Sequence, residues 1–300
     1  MSIVTQLNYC INKKMIFTTV KEKAYAKINL ALNVCGIKDG YHLLDGVMTT
    51  VDLYDTLHVS KRKDKLITVR ALGRTEYLSE FVPEKDNAYK AAKSFMEKYN
   101  TFGADISIQK RIPLSGGMGG SSADASAVLR AMKKLYKVQD DLSDLANTLG
   151  SDTAYLLNGG FARISGRGEI IQKLDVKTKL NFVAVYPNVG VNTAECFKKF
   201  DSYDFNGEVS NVDSLIDGLK KAENYSWCKE CKNALYPAAA KLSQNVKSAY
   251  ESVLSLSPLA AFMTGSGACV VGLFETKELC SWAADKLKQT EYEVFLLSSV

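Results

Sequence analysis

Pro113-Leu-Ser-Gly-Gly-Met-Gly-Gly-Ser-Ser-Ala-Asp124 is where strand, loop and helix meet in this chain. Four glycines stand between Gly116 and Gly120, and the hydroxyls of Ser121 and Ser122 follow. Upstream, Asp105 to Gln109 alternates as a strand does. Downstream, Ala123 to Lys134 is rich in Ala, Leu and Met and reads as a helix. Glycines adopt left-handed angles and expose backbone N–H groups. A helix start adds unpaired N–H groups and the positive end of a dipole. Together these form a phosphate cradle. The stretch is neither GxxxxGK[ST] nor the GxGxxG of a dinucleotide unit, and a purely structural turn is the alternative reading.

Composition sets the outer bounds. A chain of 300 residues holds one large domain or two. Its apolar and charged fractions are those of an ordinary globular protein. The net charge of +5 is mild, and the densest basic cluster, Lys61-Arg-Lys-Asp-Lys65, reads as a solvated hairpin end or loop. Without interleaved aromatics it argues against a nucleic-acid partner, whereas a mildly positive cleft suits a small anionic substrate. No run of eighteen apolar residues exists, so no membrane span is expected. The first fourteen residues lack a signal-peptide core, so a cytoplasmic location is expected, with the residues before Met15 as a loosely attached extension.

Seven cysteines are scattered along the chain. Cys10, Cys35, Cys196 and Cys269 lie in apolar contexts and are expected as reduced core residues. Cys228 and Cys231 form one CxxC. The two histidines, His42 and His58, supply no arranged ligands beside it, so zinc is not expected. A plain pair flanking a helix is expected, with a redox pair as the alternative.

Read in order, Ile16 to Val20 is a short strand. Ala24 to Val34 is a longer one, with Ile28, Leu30, Leu32 and Val34 on one face and Lys27 and Asn29 on the other. Lys38-Asp-Gly-Tyr-His42 is a turn. Val47 to Val59 returns as one or two strands, and Leu66 to Val69 with Arg74 to Leu78 reads as a further hairpin. Asn87 to Tyr99 is a helix with an apolar stripe. After the glycine loop and its helix, Asp141 caps a second helix that Gly150 stops. Ser151-Asp-Thr153 follows as a loop or the cap of a short turn. Gly159 to Ile164 is a strand, and Gly166-Arg-Gly168 a turn. A second unit begins near there: strand Leu180 to Tyr186, helix Thr193 to Phe200, a polar connection from Asp201 to Glu208, helix Ser210 to Ala222, and helix Ala238 to Leu254. A glycine-bearing turn from Phe262 to Ala268, strand Cys269 to Phe274, helix Lys277 to Thr290 and strand Tyr292 to Leu297 close the chain. Strands and helices intermix without strict βαβ spacing, which favours α+β over a doubly wound sheet. The expected domains are 1–165 and 166–300.

Several residues carry two readings each. Lys27 is a solvent-facing or snorkelling lysine, or a cation aimed into a cleft. Asp152 is a turn or cap residue; if it reaches Lys27, the pair orients or deprotonates a substrate hydroxyl. Asp124 helps hold a cation, or only caps or salt-bridges its helix. Tyr41 and His42 are packed loop residues, or a ring to stack on a base and an imidazole to hydrogen-bond it. Met263-Thr-Gly-Ser-Gly267 is a second glycine turn, and two such turns suggest opposing walls of a phosphate cleft.

Three stretches together resemble the GHMP kinase superfamily: Ala26-Lys-Ile-Asn-Leu30 with Asp39-Gly-Tyr-His42; Ile112-Pro-Leu-Ser-Gly-Gly-Met-Gly-Gly-Ser-Ser122; and Met263-Thr-Gly-Ser-Gly-Ala268. The resemblance spans nearly everything from Met15 onward. It implies a two-domain α+β GHMP kinase fold with the active site in the cleft between domains. It implies an ATP- and Mg2+-dependent kinase acting on a small cytidylated acceptor, transferring the γ-phosphoryl group to the 2-hydroxyl of a methylerythritol unit, and working as a monomer or homodimer. Other superfamily kinases act on mevalonate-, homoserine- or sugar-like acceptors, and a nucleotide-binding protein without transfer activity is the non-enzymatic alternative. By similarity Lys27 and Asp152 are catalytic. Pro113, Ser115, Gly116, Gly117, Met118, Gly119, Gly120, Ser121 and Ser122 hold ATP phosphates, with Ser121 or Ser122 as the metal contact. Asn29, Tyr41, His42, Phe197, Thr264, Gly265 and Ser266 bind the acceptor. Two departures from the family pattern stand out. Met118 and Gly119-Gly-Ser-Ser-Ala123 replace a leucine followed by three glycines and two serines. Thr153-Ala-Tyr155 replaces a frequent Val-Pro-Phe.

Overall fold

The computed structural model describes residues 19–74, 82–202, 209–221 and 223–300. Cys10, the extension before Met15, the start of the 16–20 strand, residues 75–78, most of the 201–208 connection and Ala222 lie outside the described residues.

The first unit is built on one long hairpin. Strands β1 (Thr19–Lys38) and β2 (Tyr41–Lys61) pair antiparallel along their length. Asp39 and Gly40 join them at φ +52° and +78°. Two consecutive positive φ values match the twist of the flanking strands, which is why Asp-Gly marks such turns. β2 is long enough to change partners on its other edge. Thr56 to Lys61 pairs with β4 (Ala104–Lys110), and Leu44 to Met48 pairs with β5 (Ala162–Gly166). β6 (Ile170–Lys173) extends the sheet beside β5. The expected 159–164 strand thus begins later, because Gly159 and Gly160 form a left-handed turn at φ +62° and +80°.

The hairpin expected over residues 66–78 is corrected. β3 (Thr68–Gly73) pairs parallel with β4, and α1 (Asn87–Tyr99) makes the crossover. Parallel pairing needs such a long connection, and two short apolar runs in sequence do not reveal it. α1 starts where expected: Asp86 accepts a hydrogen bond from Ala88 N, and Ala88, Ala91, Ala92 and Phe95 form the buried stripe. α2 (Gly120–Tyr136) begins three residues before the expected start, so Gly120, Ser121 and Ser122 form its first turn. Its middle, Ala123 to Leu129, is wholly buried against β1 and β2. The short helices α3 (Ser143–Leu149) and α4 (Ser151–Leu156) follow.

The second unit is a four-stranded antiparallel sheet in the order β10-β7-β9-β8. Its strands are β7 (Asn181–Tyr186), β8 (Ala260–Met263), β9 (Val270–Phe274) and β10 (Glu293–Ser298). Its helices are α5 (Thr193–Asp201), α6 (Val212–Lys221), α7 (Tyr236–Leu242), α8 (Gln244–Leu254) and α9 (Lys277–Leu287). The single helix expected over 238–254 is two, because Ser243 is extended at φ −142° and ψ 113°. Since β6 belongs to the first sheet, a division at residue 165 would split the β5–β6 hairpin. By sheet membership we place the boundary between Lys173 and Asn181. The fold is the α+β arrangement expected.

The two units are stitched by hydrogen bonds between their backbones and one side chain. Leu32 N donates to Lys232 O at 3.0 Å, and Ala234 N donates to Leu32 O at 2.8 Å. Val300 N reaches Thr50 O at 3.1 Å, and Ser298 N reaches Asp52 Oδ1 at 2.8 Å. Cys196 and Cys269 are buried as expected, but Cys35 is exposed, because β1 beyond Val34 runs out past the core. Cys228 and Cys231 are free and buried beside a 3-10 turn (Ser226–Glu230). Burial pushes the Cys228 thiol up to about 12, which disfavours the thiolate that redox chemistry needs. Among the described residues no cluster of three or more His, Cys, Asp or Glu could hold a metal ion. No described helix is long and apolar enough to cross a membrane.

Candidate active site

The glycine loop is held in shape by its neighbours. Ser115, Gly117 and Gly119 have φ of +51°, +74° and +71°. Lys27 N donates to Met118 O at 3.0 Å, which ties β1 to the loop, and the Met118 side chain is buried beneath it. On the far side, Ala268 N donates to Ser115 O and Cys269 N to Gly116 O, each at 3.1 Å. Ala123 N donates to Gly119 O at 2.9 Å, opening the ladder of α2. The N–H groups of Gly120, Ser121 and Ser122 precede that bond and have no intrahelical acceptor, as at any helix start.

The second glycine turn is not an opposing wall. It lies directly against the glycine loop, and the expectation of two facing walls is corrected. A Cβ on Gly117 would stand 2.0 Å from Thr264 O, and one on Gly265 would stand 2.7 Å from Gly117 O. Two backbones without side chains approach this closely only because each is glycine. Asn29 is the clasp: its N donates to Thr264 Oγ1 at 3.0 Å, and its Oδ1 accepts from Gly265 N at 3.1 Å. Asn233 Nδ2 holds the same turn through Met263 O at 2.7 Å and Gly265 O at 2.8 Å.

Lys27 and Asn29 share one side of β1, as the alternation implies, and Lys27 Nζ donates to Asn29 Oδ1 at 2.5 Å. Both are buried despite facing away from Ile28 and Leu30, because the glycine loop and the second turn cover that face. Lys27 Nζ also lies 3.8 Å from Asp152 Oδ2. That distance is an ion pair without a direct hydrogen bond. Burial lowers the pKa of Lys27 from its ordinary value, and the charge of Asp152 opposes the fall. Asp152 is reached by an abrupt junction. Gly150, at φ +145° and ψ 151°, ends α3 and caps α4 in a conformation essentially reserved for glycine. Asp152 then falls in the first turn of α4, and Ser126 Oγ, 2.8 Å from both Ser122 O and Thr153 O, holds α4 against α2.

These groups line one cavity of about 560 Å3. Lys27, Asn29, Asp152, Phe197, Gly265, Ser266 and every one of Pro113, Ser115, Gly116, Gly117, Met118, Gly119, Gly120, Ser121 and Ser122 border it. Thr264 does not: it is fully buried, and its hydroxyl is spent between Asn29 and Gly117 O. Tyr41 and His42 lie outside the lining, beside residues that belong to it. His42 stacks on Phe197 with centroids 4.5 Å apart, and its Nε2 donates to Asp201 Oδ1 at 2.7 Å. Tyr41 is exposed, with the Arg167 guanidinium 4.8 Å from its ring centroid.

Two features are not evident from the sequence. Arg167 and Gly168 line the cavity, although Gly166-Arg-Gly168 reads only as a turn. Beneath the loop, Lys110 pairs with both Asp55 and Asp124, the latter at 2.6 Å, and Asp55 Oδ1 accepts from Arg111 N at 2.5 Å and Ile112 N at 2.9 Å. Asp124 is therefore a buried salt-bridge partner that braces α2 to β2 and β4. Burial pushes its carboxyl up to about 8, with Lys110 opposing, and its Oδ1 has no hydrogen-bond partner.

Comparison with known proteins fits this geometry. The family described as GHMP kinases N terminal domain matches residues 86–162, and the GHMP kinases C terminal family matches residues 212–292. The 4-diphosphocytidyl-2-C-methyl-D-erythritol kinase of Clostridium beijerinckii is 34% identical over 290 residues, covering 94% of this chain and 100% of that protein. A solved 4-(cytidine 5'-diphospho)-2C-methyl-D-erythritol kinase superposes with a TM-score of 0.78 at 28% identity, covering 93% of this chain and 98% of the other. A homoserine kinase from Cytophaga hutchinsonii has a TM-score of 0.74 at 18% identity, covering 94% and 95%. The latter likeness is one of fold.

Proposed function

This chain belongs to the 4-diphosphocytidyl-2-C-methyl-D-erythritol kinase family of the GHMP kinases, and on that premise we propose that it phosphorylates the 2-hydroxyl of 4-diphosphocytidyl-2-C-methyl-D-erythritol with ATP. We place it in the cytoplasm, as a monomer or homodimer. The observation that carries this reading is the meeting of Lys27 and Asp152 in the cavity bordered by the glycine loop. An aromatic pair, His42 on Phe197, stands at the edge of that cavity with Tyr41 nearby. A cytosine suits that edge, while mevalonate or homoserine brings no ring to stack there.

The glycine loop and the first turn of α2 hold the ATP phosphates by backbone N–H groups. The acceptor hydroxyl donates to Asp152 and lies beside the Lys27 ammonium. As its oxygen bonds the γ-phosphorus, the bond from that phosphorus to the β–γ bridging oxygen breaks, ADP departs, and the hydroxyl proton passes to Asp152. Lys27 offsets the charge on the moving phosphoryl group. Asn29 fixes Lys27 against the second glycine turn, so the ammonium needs no rearrangement during the step. The oxygens of Ser121, Ser122 and Asp152 border the same cavity and make a hard donor set that fits Mg2+. Bound magnesium supplies charge neutralisation across the ATP phosphates.

An ATP-consumption assay over a panel of acceptors tests the reading. Turnover with the cytidylated acceptor, and none with mevalonate or homoserine, is the expected result. Turnover with either of the latter at a higher kcat/KM would overturn it.

A further inference from the structure

Three cations among the described residues line the main cavity: Lys27, Lys110 and Arg167. Two are committed. Lys27 is held by Asn29 and Asp152, and Lys110 by Asp55 and Asp124. Arg167 has no carboxylate among the described residues within ion-pair distance. Its guanidinium rests instead near the ring of Tyr41.

The position of Arg167 follows from the turn that carries it. Gly166 and Gly168 have φ of +68° and +99°, which a side chain would resist, so the chain reverses between β5 and β6 with Arg167 at its tip. Gly168 packs on Ser151: a Cβ there would stand 3.2 Å from Ser151 Cβ. Ser151 immediately precedes Asp152. One end of this turn therefore touches the helix that presents the catalytic carboxylate, and its tip touches Tyr41.

The proposed acceptor has the same two ends. Its base belongs at Tyr41, His42 and Phe197, its alcohol at Lys27 and Asp152, and an anionic diphosphate joins them. Resting on that functional reading, we propose that Arg167 is a specificity-determining residue that binds the acceptor's diphosphate, and that its contact with Tyr41 holds the guanidinium in place for it. A guanidinium is suited to this: its planar fork donates to phosphate oxygens while its face rests on an aromatic ring. Stacking on one face of Tyr41 leaves the opposite face for a base.

The test is steady-state kinetics of Arg167→Ala and Arg167→Lys with the cytidylated acceptor, together with binding of CDP and cytidine to each protein. Arg167→Ala is expected to raise the acceptor KM about 10- to 100-fold, the scale of a lost charge-assisted contact. Both kcat and the KM for ATP stay within about threefold, and Arg167→Lys falls between Arg167→Ala and the wild type. CDP binding weakens by the same factor while cytidine binding holds, a split that a purely structural role would not give. An unchanged acceptor KM, a rise in the ATP KM instead, or equal weakening of CDP and cytidine would each overturn the assignment. A wild-type enzyme that ignores the cytidylated acceptor would overturn the functional reading and take this inference with it. A wild type that prefers that acceptor, with Arg167→Ala indifferent, would overturn this inference alone.

Discussion

Replacing Gly117 with alanine is expected to lower kcat about a hundredfold in a protein that still folds. Gly117 holds φ at +74°, where a side chain costs roughly 1–2 kcal/mol. The added Cβ would stand 2.0 Å from Thr264 O, whereas 3.0 Å is the closest a real Cβ comes, so Thr264 must retreat by 3.0 − 2.0, about 1 Å. It does not retreat alone. Its hydroxyl accepts from Asn29 N, the next N–H of its turn donates to Asn29 Oδ1, and that oxygen also holds Lys27 Nζ. A displacement of that size at the reacting groups costs about 10²-fold in rate, or roughly 2.7 kcal/mol of barrier. Gly160→Ala is the control. Its φ is +80°, but no atom lies within 4 Å of the added Cβ, so it carries the backbone strain without the clash. The assay is ADP release at saturating ATP and cytidylated acceptor, run beside thermal melts. Both variants should melt a few degrees low, and only Gly117→Ala should lose its rate. Wild-type kcat in Gly117→Ala, or an equal loss in Gly160→Ala, would refute the idea that the two glycine turns lock Lys27 in place.

Because burial lowers the pKa of Lys27, kcat should fall with rising pH through a value below the ordinary 10.5. Asp152 opposes that lowering, so the limb should move further down in Asp152→Asn, and a limb that stays put would contradict the coupling. Asp124 has a folded pKa raised from 3.8 to about 8, so its contribution to stability is full below about pH 4 and is lost as pH rises towards 8. Asp124→Asn should lack that decline, so the stability difference between wild type and variant should change with pH across that window; a pH-independent difference would count against it. Tyr41→Ala should raise the acceptor KM by about tenfold or more while kcat changes little, as expected of a stacking residue remote from the transferred group. A fall in kcat at unchanged KM would place Tyr41 elsewhere in the mechanism.

Local chemistry makes much of this site legible in the sequence. Positive φ at Gly117 and Gly119 follows from the glycine run itself, although α2 starts at Gly120 and not at the expected Ala123. The pairing of Lys27 with Asn29 follows from strand alternation, and the Asp39-Gly40 turn from its residue types. What escaped depends on long-range contact. The second glycine turn braces the first instead of facing it, because Asn29 and Thr264, 235 residues apart, meet through hydrogen bonds. Thr264 is consumed by that brace, which its motif does not disclose. The parallel β3–β4 pair requires a crossover that short apolar runs do not encode. The break at Ser243 carries neither proline nor glycine, and the exposure of Cys35 reflects how far β1 projects past the core. Arg167 looks like one more turn residue until β5 and β6 bring it beside Tyr41.

The proposed chemistry rests on Lys27 and Asp152 acting together on one alcohol. The most direct measurement is the single-turnover rate of γ-phosphoryl transfer, by rapid quench, in Lys27→Met, Asp152→Asn and the double variant. Each single change should slow transfer by about 10²–10³-fold, and the double variant should be within a few-fold of the slower single, since removing either member disables the pair. Losses that multiply, leaving the double variant slower than either single by the full product, would mean that the two groups act on separate steps.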